Sequence, residues 1–325
     1  MTNIIDIRQP IAKEFEQFKT LFAQCLQSDI NVLQEIYEHI LANNGKQIRP
    51  TLTLLSAKLC GNITEKTYDA AVVFELLHTA SLLHDDVIDD TLQRRSKKSV
   101  NAQWTNKLAI LSGDYMLSTA MRRLTKMRNL HIQNIVCDLV SKLSKGEILE
   151  INYGDSMWIT EKHYFNIIRH KTASLFSACT EAGAISVGAT GVQTKALRLF
   201  GEEMGICFQM QDDIFDYSDS EQLGKPTMND IRDKKVTLPL IIALKRADKK
   251  DAAALKLRIE NEPLTWELEN DIKNFVMRYD GIGYAQQRIN EHKKIAKILL
   301  TEFHPITPAY ESLLQLLDYT TQRSF

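Results

Sequence analysis

The sequence predicts an all-α fold, a bundle of helices with little or no sheet, from three observations. Only 13 Gly and 7 Pro are present among 325 residues. Apolar residues recur at three- and four-residue spacing along most of the chain, which is the period of amphipathic helices. Segments with the strict alternation of a half-buried strand are hard to find. Together these features favour helix packed on helix.

Helical periodicity is clearest in five segments: 11–26, 71–85, 132–151, 196–217 and 264–279. The breaks between helices contain Gly with Asn, Asp or Pro, as in "ANNGKQIRP" and "YDGIGYA". The stretch "ITEKHY" predicts a helix that starts with Thr160 as its N-cap. No repeat or low-complexity linker divides the chain, so residues 1–325 are expected to form one all-α domain.

Composition limits the classes of function. The chain has 40 basic and 41 acidic residues, a formal charge of −1, so it lacks the overall field that attracts nucleic acid or anionic membranes. Five scattered cysteines form no CxxC pair and are typical of a reducing compartment. The N-terminal sequence does not resemble a signal peptide, and no apolar run reaches the roughly 18 residues that span a bilayer. We therefore expect a cytoplasmic protein.

An acidic cluster in "LLHDDVIDDTLQRR" is the first candidate site. Asp85 and Asp89 are four residues apart, so their carboxylates share one helix face, while Asp86 and Asp90 form a second pair rotated by about 100°. Like charges at this spacing oppose each other, and a divalent cation such as Mg²⁺ would relieve the repulsion. For this cluster alone, a solvated acidic helix end is an equally good interpretation.

A second acidic cluster favours the metal site over the solvated helix end. Asp212, Asp213 and Asp216 repeat the DDxxD spacing, again at the end of an apolar helical segment. Carboxylates beside an apolar bundle are costly unless they are paired or bound to metal. Two facing helices that each present DDxxD would hold several Mg²⁺ ions around one polyphosphate group.

Basic residues near these clusters supply the second half of a diphosphate site. A single Lys or Arg is ordinarily a solvated surface residue, so the argument depends on their placement beside the acidic motifs. Arginine is suited to bidentate phosphate binding. The candidates are Arg94 and Arg95 after the first cluster, Lys225 and Lys235 after the second, Lys46 and Arg49 in "GKQIRP", and Lys171 with Thr172 in "RHKTASLF".

From about residue 45 to residue 239 the chain resembles the trans-type isoprenyl diphosphate synthases, or polyprenyl synthetases. The motifs appear in the family's order: "GKQIRP", "ELLHTASLLHDDVIDD", "LSGDYML", "KGEILE", "KTASLF", "FQMQDDIFDY", "LGKP" and "KKVTLPLI". The resemblance implies an isoprenoid synthase-type helical bundle around a central apolar cavity, usually in a homodimer. It also implies a Mg²⁺-dependent prenyltransferase that condenses isopentenyl diphosphate with an allylic diphosphate.

The resemblance assigns roles residue by residue. Asp85 and Asp89 match the family's ligands for two Mg²⁺ ions, and Asp212 would bind a third, supported by Asp213 and Asp216; Asp86 is included among the metal ligands and Asp90 is left open. The allylic diphosphate would be held by Arg94, Lys171, Gln209, Lys225 and Lys235. The isopentenyl diphosphate would be held by Lys46, Arg49, His78 and Arg95. Thr172 and Gln209 are expected to stabilise the allylic cation.

Product length is expected to depend on Ala80 and Ser81, one helical turn before Asp85. In the family, bulky aromatic residues at these positions stop the chain at short products. Both residues are small here, so we expect a long-chain, octaprenyl-like product for a quinone side chain. A bulky residue on a facing helix would instead give a farnesyl or geranylgeranyl product, and that alternative stays open.

Other readings of the sequence remain. A class I terpene cyclase would ionise the same substrate, but it would not need Lys46, Arg49 and Arg95. A non-catalytic subunit of a heteromeric synthase would usually lack one aspartate motif.

Several positions depart from the family pattern: Ser96 and Lys97 follow the arginine pair where many relatives have Gly, and Glu150 stands where long-chain relatives often carry Gln. Lys234 replaces a common Gly, and Arg323 is a further candidate for closing over the diphosphate.

Overall fold

The structure is a computed structural model that describes residues 3–154, 158–217, 228–233, 235–305 and 307–321. The helices of its first half are α1 (Ile4–Ile7), α2 (Ala12–Cys25), α3 (Asn31–Ala42), α4 (Ile48–Cys60), α5 (Glu65–Ile88), α6 (Val100–Gln103), α7 (Asn106–Met127) and α8 (Leu130–Gly154). A short 3₁₀ turn, Gln9–Ile11, lies between α1 and α2.

The second half continues with α9 (Glu161–Ile168), α10 (Ser174–Ser186), α11 (Gly191–Phe215), α12 (Asn229–Arg232), α13 (Leu238–Arg246), α14 (Lys249–Asn261), α15 (Trp266–Arg278), α16 (Gly281–Leu300) and α17 (Pro308–Thr321). One π-helical turn, Arg169–Ala173, joins α9 to α10. Within the described ranges, the strands are β1 (Gln93–Arg94) and β2 (Lys97–Lys98), which pair in an antiparallel hairpin. The all-α prediction is confirmed.

Local sequence explains where the helices that carry the candidate site begin. Thr64 caps α5 in a capping box, in which the Thr64 N–H donates to Thr67 Oγ1 at 3.1 Å. Thr160 caps α9 by accepting the His163 N–H at 3.3 Å, as the sequence predicted. Such caps satisfy N–H groups that have no partner inside the helix.

The chain divides into two compact units. The first consists of Met1–Leu139, Leu175–Gly201 and Leu299–Leu316. Its fully buried aromatic residues are Phe18, Phe22, Tyr37, Phe74, Phe176 and Phe200. Helices α5 and α7 approach closely at Gly113, where an added Cβ would lie 2.4 Å from His84 Nε2.

The second unit consists of Val140–Ser174, Glu202–Ile298 and Leu317–Phe325. Its core is a cluster that draws on α9, α11, α13, α15 and α16, and it includes Phe165, Met210, Leu240, Ile272 and Ile289. Over the described parts of the chain, no helix combines the length and the apolar character that crossing a bilayer requires.

Candidate active site

The first aspartate cluster lies at the C-terminal end of α5. Asp85 and Asp86 are in the last turn, and Asp89 is the C-cap, with its N–H donating to Asp85 O at 2.8 Å. A helix C-terminus carries partial negative charge, so carboxylates are disfavoured there. Asp85 is half-buried and Asp89 is exposed, whereas Asp86 is only 3% exposed. A bound cation would relieve the charge at this helix end.

Asp86 is paired with Arg94. Arg94 Nε donates to Asp86 Oδ1 at 2.9 Å and to Oδ2 at 3.2 Å, and Nη2 donates to Oδ1 at 2.6 Å. Such a charge-assisted, multiply bonded pair fixes both side chains. The structure therefore brings together a residue predicted to bind metal and one predicted to bind the allylic diphosphate, and it pairs them with each other.

The β1–β2 hairpin presents the two arginines. Its two central residues, Arg95 and Ser96, have φ of 55° and 62°, and positive φ at both positions is the pattern of a type I′ turn. Glycine or asparagine usually occupies such positions, because other side chains are strained there. Ser96, noted above as a departure from the family pattern, lies at one of these strained positions.

Three residues predicted to bind isopentenyl diphosphate, His78, Arg95 and Arg49, belong to the first unit. His78 and Arg95 line a small cavity of about 70 Å³ together with Asp86 and Arg94. Arg49 lies in the first turn of α4, with its guanidinium 5.3 Å from the centre of the Phe176 ring. Arg95 Nη1 donates to the carbonyl of Asn43, the C-cap of α3.

The "GKQIRP" loop carries Lys46, the fourth predicted ligand, and two of its residues, Gly45 and Gln47, determine its backbone conformation. At Gly45 an added Cβ would lie 2.5 Å from Arg95 Nη2, so only glycine lets the guanidinium lie against this backbone. Lys46 itself is exposed. Gln47, the next residue, has φ of 43° and is the N-cap of α4.

His78 is surrounded by three arginines, which affect its protonation. Burial, and then Arg49, Arg95 and Arg94, lower the pKa of His78 well below its ordinary value, so the imidazole is neutral. A neutral imidazole still donates one N–H to a phosphate oxygen. Glu75, one turn earlier on α5, also lines the cavity and was missed by the sequence reasoning; it is only 7% exposed.

The second aspartate cluster lies at the C-terminal end of α11. Asp212 is exposed, Asp213 is 3% exposed and Asp216 is half-buried just past the helix. Asp213 accepts hydrogen bonds from Tyr164 Oη at 2.5 Å and Gln209 Nε2 at 2.9 Å. Burial raises the pKa of Asp213, the two hydrogen bonds lower it, and the nearby Asp212 and Asp216 raise it, so that the resulting pKa is about 7.

A fourth carboxyl group adds to this cluster. Asp230 donates its N–H to Asp216 Oδ2 at 3.1 Å. Its own pKa is raised well above the ordinary value by burial and by Asp213, Asp216 and Asp212. Sequence reasoning missed Asp230 because it lies outside the DDxxD spacing, on the short α12. The crowding of acidic groups here fits a site that binds cations.

The π-helical turn Arg169–Ala173 positions Lys171. Single π-turns inserted in α-helices are frequent at functional sites. The turn packs on α8 at Gly146, where an added Cβ would lie 2.7 Å from the Lys171 backbone nitrogen. Lys171 Nζ lies 2.8 Å from Glu147 Oε1 and 2.7 Å from Glu150 Oε2.

Glu150 connects two of the predicted diphosphate ligands. Its Oε2 also lies 3.5 Å from Lys235 Nζ, so one carboxylate bridges Lys171 and Lys235. Sequence reasoning singled out Glu150 only as a departure from relatives that carry Gln, and it did not identify Glu147. The two lysines are thus brought together by a shared glutamate.

Thr172 and Gln209 are also brought together. Thr172 Oγ1 donates to Gln209 Oε1 at 2.8 Å, and Gln209 Nε2 donates to Asp213. The chain of bonds Thr172–Gln209–Asp213 ends at Tyr164, which sequence reasoning missed because a tyrosine 49 residues from Asp213 gives no local signal. This chain fixes the direction of the Thr172 hydroxyl.

The remaining predicted positions are distributed as follows. Ala80 is fully buried, whereas Ser81 is half-buried and its hydroxyl donates to His78 O at 2.9 Å. At about 100° per residue, Ser81 lies close to the Asp85 side of α5, and Ala80 lies about 140° from it. Lys225, Lys234 and Arg323 lie outside the described residues.

The donor set fits Mg²⁺. Among the described residues, no three His, Cys, Asp or Glu side chains form a ready-made metal site. Mg²⁺ is ordinarily held by one or two carboxylates together with waters and substrate phosphates. The carboxylates at the C-termini of α5 and α11 are groups of this kind.

These features define a class: an α-helical protein with an aspartate cluster at the C-terminus of each of two helices and with two groups of basic residues. The Polyprenyl synthetase family profile matches residues 30–276. The chain is 30% identical to the octaprenyl diphosphate synthase of Escherichia coli over 322 residues, 99% of each protein. A polyprenyl synthase from Caulobacter crescentus, crystallised with calcium and isoprenyl diphosphate, superposes with a TM-score of 0.93 at 28% identity, covering 99% of this chain and 98% of that one.

A geranylgeranyl pyrophosphate synthase from Bacteroides thetaiotaomicron superposes with a TM-score of 0.85 at 37% identity, covering 99% of this chain and 100% of that one. The chain belongs to the polyprenyl synthetase family and is a prenyltransferase. Its fold is the all-α isoprenoid synthase fold of that family, whose members use Mg²⁺. The resemblance stated from the motifs is confirmed.

Proposed function

We propose that the chain catalyses the Mg²⁺-dependent head-to-tail condensation of isopentenyl diphosphate with an allylic diphosphate, giving a trans-polyprenyl diphosphate. The observation that carries this proposal is the presence, in one chain of this family, of both DDxxD clusters at helix C-termini and of two separate groups of basic residues. A reaction that joins two diphosphate substrates needs both groups.

Lys171 and Lys235 support binding of the allylic diphosphate. Glu150 holds both ammonium groups near one carboxylate, and Glu147 also pairs with Lys171, so both cations lie within reach of one diphosphate, which would displace the glutamates from them. Arg94, fixed by Asp86, and Lys225 complete the proposed set. Charge-assisted bonds from these groups stabilise the departing diphosphate as the C–O bond ionises.

Thr172 is suited to stabilise the allylic cation. Its proton is donated to Gln209, so its oxygen lone pairs are the part of the dipole available to a cation. Isopentenyl diphosphate then attacks the cation through its double bond, and loss of a proton to the released diphosphate completes the step. Water has to be excluded, because it would capture the cation.

Metal binding is proposed at both clusters. Asp85 and Asp89, with Asp86, would hold Mg²⁺ at the end of α5, and Asp212, with Asp213 and Asp216, would do so at the end of α11, about three ions in all. When bound, Mg²⁺ neutralises charge on the leaving diphosphate. The residues of the chain provide the carboxylates and keep them at fixed positions.

The second diphosphate site separates this proposal from a class I terpene cyclase. Lys46, Arg49, His78 and Arg95 all belong to the first unit, and a cyclase that adds no isopentenyl unit would not need them. The presence of both aspartate clusters likewise disfavours a non-catalytic subunit.

For the product, we propose a long chain, as in the octaprenyl diphosphate synthase that the chain resembles. Ala80 and Ser81 are small, which favours passage of a growing chain past this turn of α5. The 37% identity to a geranylgeranyl pyrophosphate synthase favours the second candidate, a short-chain product. Identity therefore does not decide between the two, and product sizing does.

We further propose that the chain forms a homodimer. Ile110, Leu111, Tyr115 and Met121 are exposed on one side of α7, and such an apolar face on a helix is typical of an interface. The proposed occupant is the same face of a second copy. Light scattering of the purified protein would give twice the chain mass, and a monomer mass would contradict the proposal.

The family profile, residues 30–276, includes parts of both compact units, which supports one catalytic domain over the whole chain.

All five cysteines are free thiols, which supports the cytoplasm as the compartment of the protein. Fusion to a fluorescent protein followed by fractionation would test that location. We also propose transient contact with a membrane when the product is released.

The deciding experiment is an elongation assay. Purified protein would be incubated with labelled isopentenyl diphosphate, Mg²⁺ and each of dimethylallyl, geranyl, farnesyl and geranylgeranyl diphosphates. Products that grow by successive isoprene units would support the proposal, and no elongation with any primer would overturn it. Products that stop at fifteen or twenty carbons would overturn only the long-chain part.

A further inference from the structure

Arg8 holds the loop that carries Lys46. It lies in the N-terminal segment between α1 and the following 3₁₀ turn, before the residues that match the family profile. Arg8 Nε donates to Thr51 Oγ1 at 2.8 Å, and Nη2 donates to the carbonyl oxygens of Lys46 and of Gln47, the latter at 3.1 Å. One guanidinium thus ties the loop to the first turn of α4.

The loop needs this support because of its backbone conformation. Gln47 has φ of 43° and ψ of 51°, a left-handed conformation that is costly for a residue with a Cβ. Such strain persists only where the surroundings over-determine it, and it is frequent at ligand-binding sites. The Gln47 carbonyl accepts from Thr51 Oγ1 at 2.8 Å as well as from Arg8.

The strained residue separates two predicted ligands of isopentenyl diphosphate. Lys46 precedes Gln47 in the loop, and Arg49 follows it in the first turn of α4. The turn at Gln47 therefore sets the direction of Lys46 relative to Arg49. If Gln47 relaxed to a right-handed or extended conformation, the direction of Lys46 relative to Arg49 would change.

Arg8 is itself held in place. Its guanidinium carbon lies 3.9 Å from the centre of the Phe15 ring on α2, a cation–π contact with an aromatic residue that is 5% exposed. It also lies within electrostatic reach of the buried Glu75 on α5. The fork of donors is thus fixed in direction, as an arginine side chain permits and a lysine does not.

We infer that Arg8 is a positioning residue for isopentenyl diphosphate: it holds the left-handed turn at Gln47 so that Lys46 and Arg49 bind one diphosphate. The inference rests on the proposed function, because it assumes that this loop binds that substrate. Arg8 does not touch the reacting atoms, so its removal weakens the binding of one substrate only.

The test compares Arg8→Met and Arg8→Lys with the full-length wild type. Arg8→Met keeps an apolar stem but loses every donor, and we expect the KM for isopentenyl diphosphate to rise by about tenfold. Arg8→Lys keeps the positive charge but replaces the planar fork of donors by one ammonium group, and we expect the KM for isopentenyl diphosphate to rise by about threefold. The KM for the allylic diphosphate and the kcat should stay within about twofold of wild type.

Lys13→Met is the matched control, since it removes one positive charge from an exposed position of α2. It should leave both KM values unchanged. Calorimetric titration of the metal-loaded proteins with isopentenyl diphosphate alone gives the affinity without turnover, and thermal unfolding reports whether each variant is folded. Arg8→Lys provides the comparison if Arg8→Met does not fold.

Equal loss of affinity for both substrates, in step with lower thermal stability, would overturn the inference, because that result indicates a structural role. Unchanged affinity for isopentenyl diphosphate in folded Arg8 variants would overturn it as well. Wild-type protein that neither binds isopentenyl diphosphate nor elongates any primer would overturn the proposed function itself. The two failures are therefore distinguishable.

Discussion

The two aspartate clusters have the same DDxxD spacing and lie at the C-terminal ends of their helices. The second aspartate of each motif, Asp86 or Asp213, is nevertheless held by different partners. Asp86 is bound by the charged Arg94. Asp213 is bound by the neutral Tyr164 and Gln209, and burial, with a smaller contribution from the neighbouring carboxyl groups, raises its pKa to about 7. Identical motifs therefore place their middle aspartate among different partners, one charged and two neutral, because the packing around the two helix ends differs.

The basic residues differ in the same way. In the first unit, Arg94 pairs with an aspartate of the motif itself. In the second unit, Lys171 and Lys235 pair with Glu147 and Glu150 on α8. A diphosphate that binds Lys171 or Lys235 thus displaces glutamates, whereas one that binds Arg94 competes with Asp86.

The largest expected effect is loss of activity when either cluster loses a proposed metal ligand. Asp85→Asn and Asp212→Asn should each lower kcat/KM by about 100-fold or more, because each removes charge that stabilises the departing diphosphate through the metal. Steady-state kinetics with labelled isopentenyl diphosphate measures this. Asp90→Asn is the matched control: Asp90 has φ of 47°, which asparagine tolerates, and its activity should stay near wild type.

The second prediction compares how much the partners of Asp86 and of Asp213 contribute to the free energy of unfolding. Arg94→Met should lower the free energy of unfolding by about 2–3 kcal/mol, since it leaves the Asp86 charge buried without its partner. Tyr164→Phe should cost about 1 kcal/mol, because Asp213 loses one neutral donor and keeps Gln209. Urea unfolding measures both. Equal losses would show that the contrast between the clusters has no energetic consequence.

The third prediction concerns pH and the arginine-rich surroundings of His78. The pKa of His78 is lowered in the folded state, so below about pH 6.5 the unfolded chain binds a proton that the native protein does not. Wild-type stability should therefore fall as pH decreases from 6.5, and His78→Gln should show a flatter profile there. Unfolding curves between pH 5 and 8 measure this, and identical slopes for the two proteins would contradict the pKa assignment.

The smallest effect is expected at Glu150. Glu150→Gln keeps the size of the side chain but removes the carboxylate that bridges Lys171 and Lys235, while Glu147 still holds Lys171. With less competition for the lysines, the KM for the allylic diphosphate should fall by about threefold. The KM for isopentenyl diphosphate is the internal control and should not change. A higher KM for the allylic substrate would mean that Glu150 assists binding instead.

Sequence alone was sufficient for the fold class and the family, since helical periodicity and the motif order depend only on local spacing. The placement of both DDxxD clusters on helix ends was predicted for the same reason. The partners of Asp86 and Asp213 were not predictable in this way. Tyr164 is 49 residues from Asp213, and Asp230 is fixed by a backbone contact with Asp216.

The loop around Lys46 illustrates the same limit. "GKQIRP" indicates a loop before a helix, and Gly45 and Pro50 account for that. The left-handed turn at Gln47 and its support by Arg8 depend on a contact 39 residues apart along the chain. Charge pairing across such distances is set by packing, and packing is not encoded in any short motif.

The central claim is that both aspartate clusters, despite their different neighbours, bind Mg²⁺ for one allylic diphosphate. Calorimetric titration with the non-ionising analogue farnesyl thiodiphosphate, with Mg²⁺ or with EDTA, tests it most directly. We predict that binding requires Mg²⁺ and is severely weakened in both Asp85→Asn and Asp212→Asn. Binding that persists in EDTA, or that survives unchanged in either variant, would contradict the account.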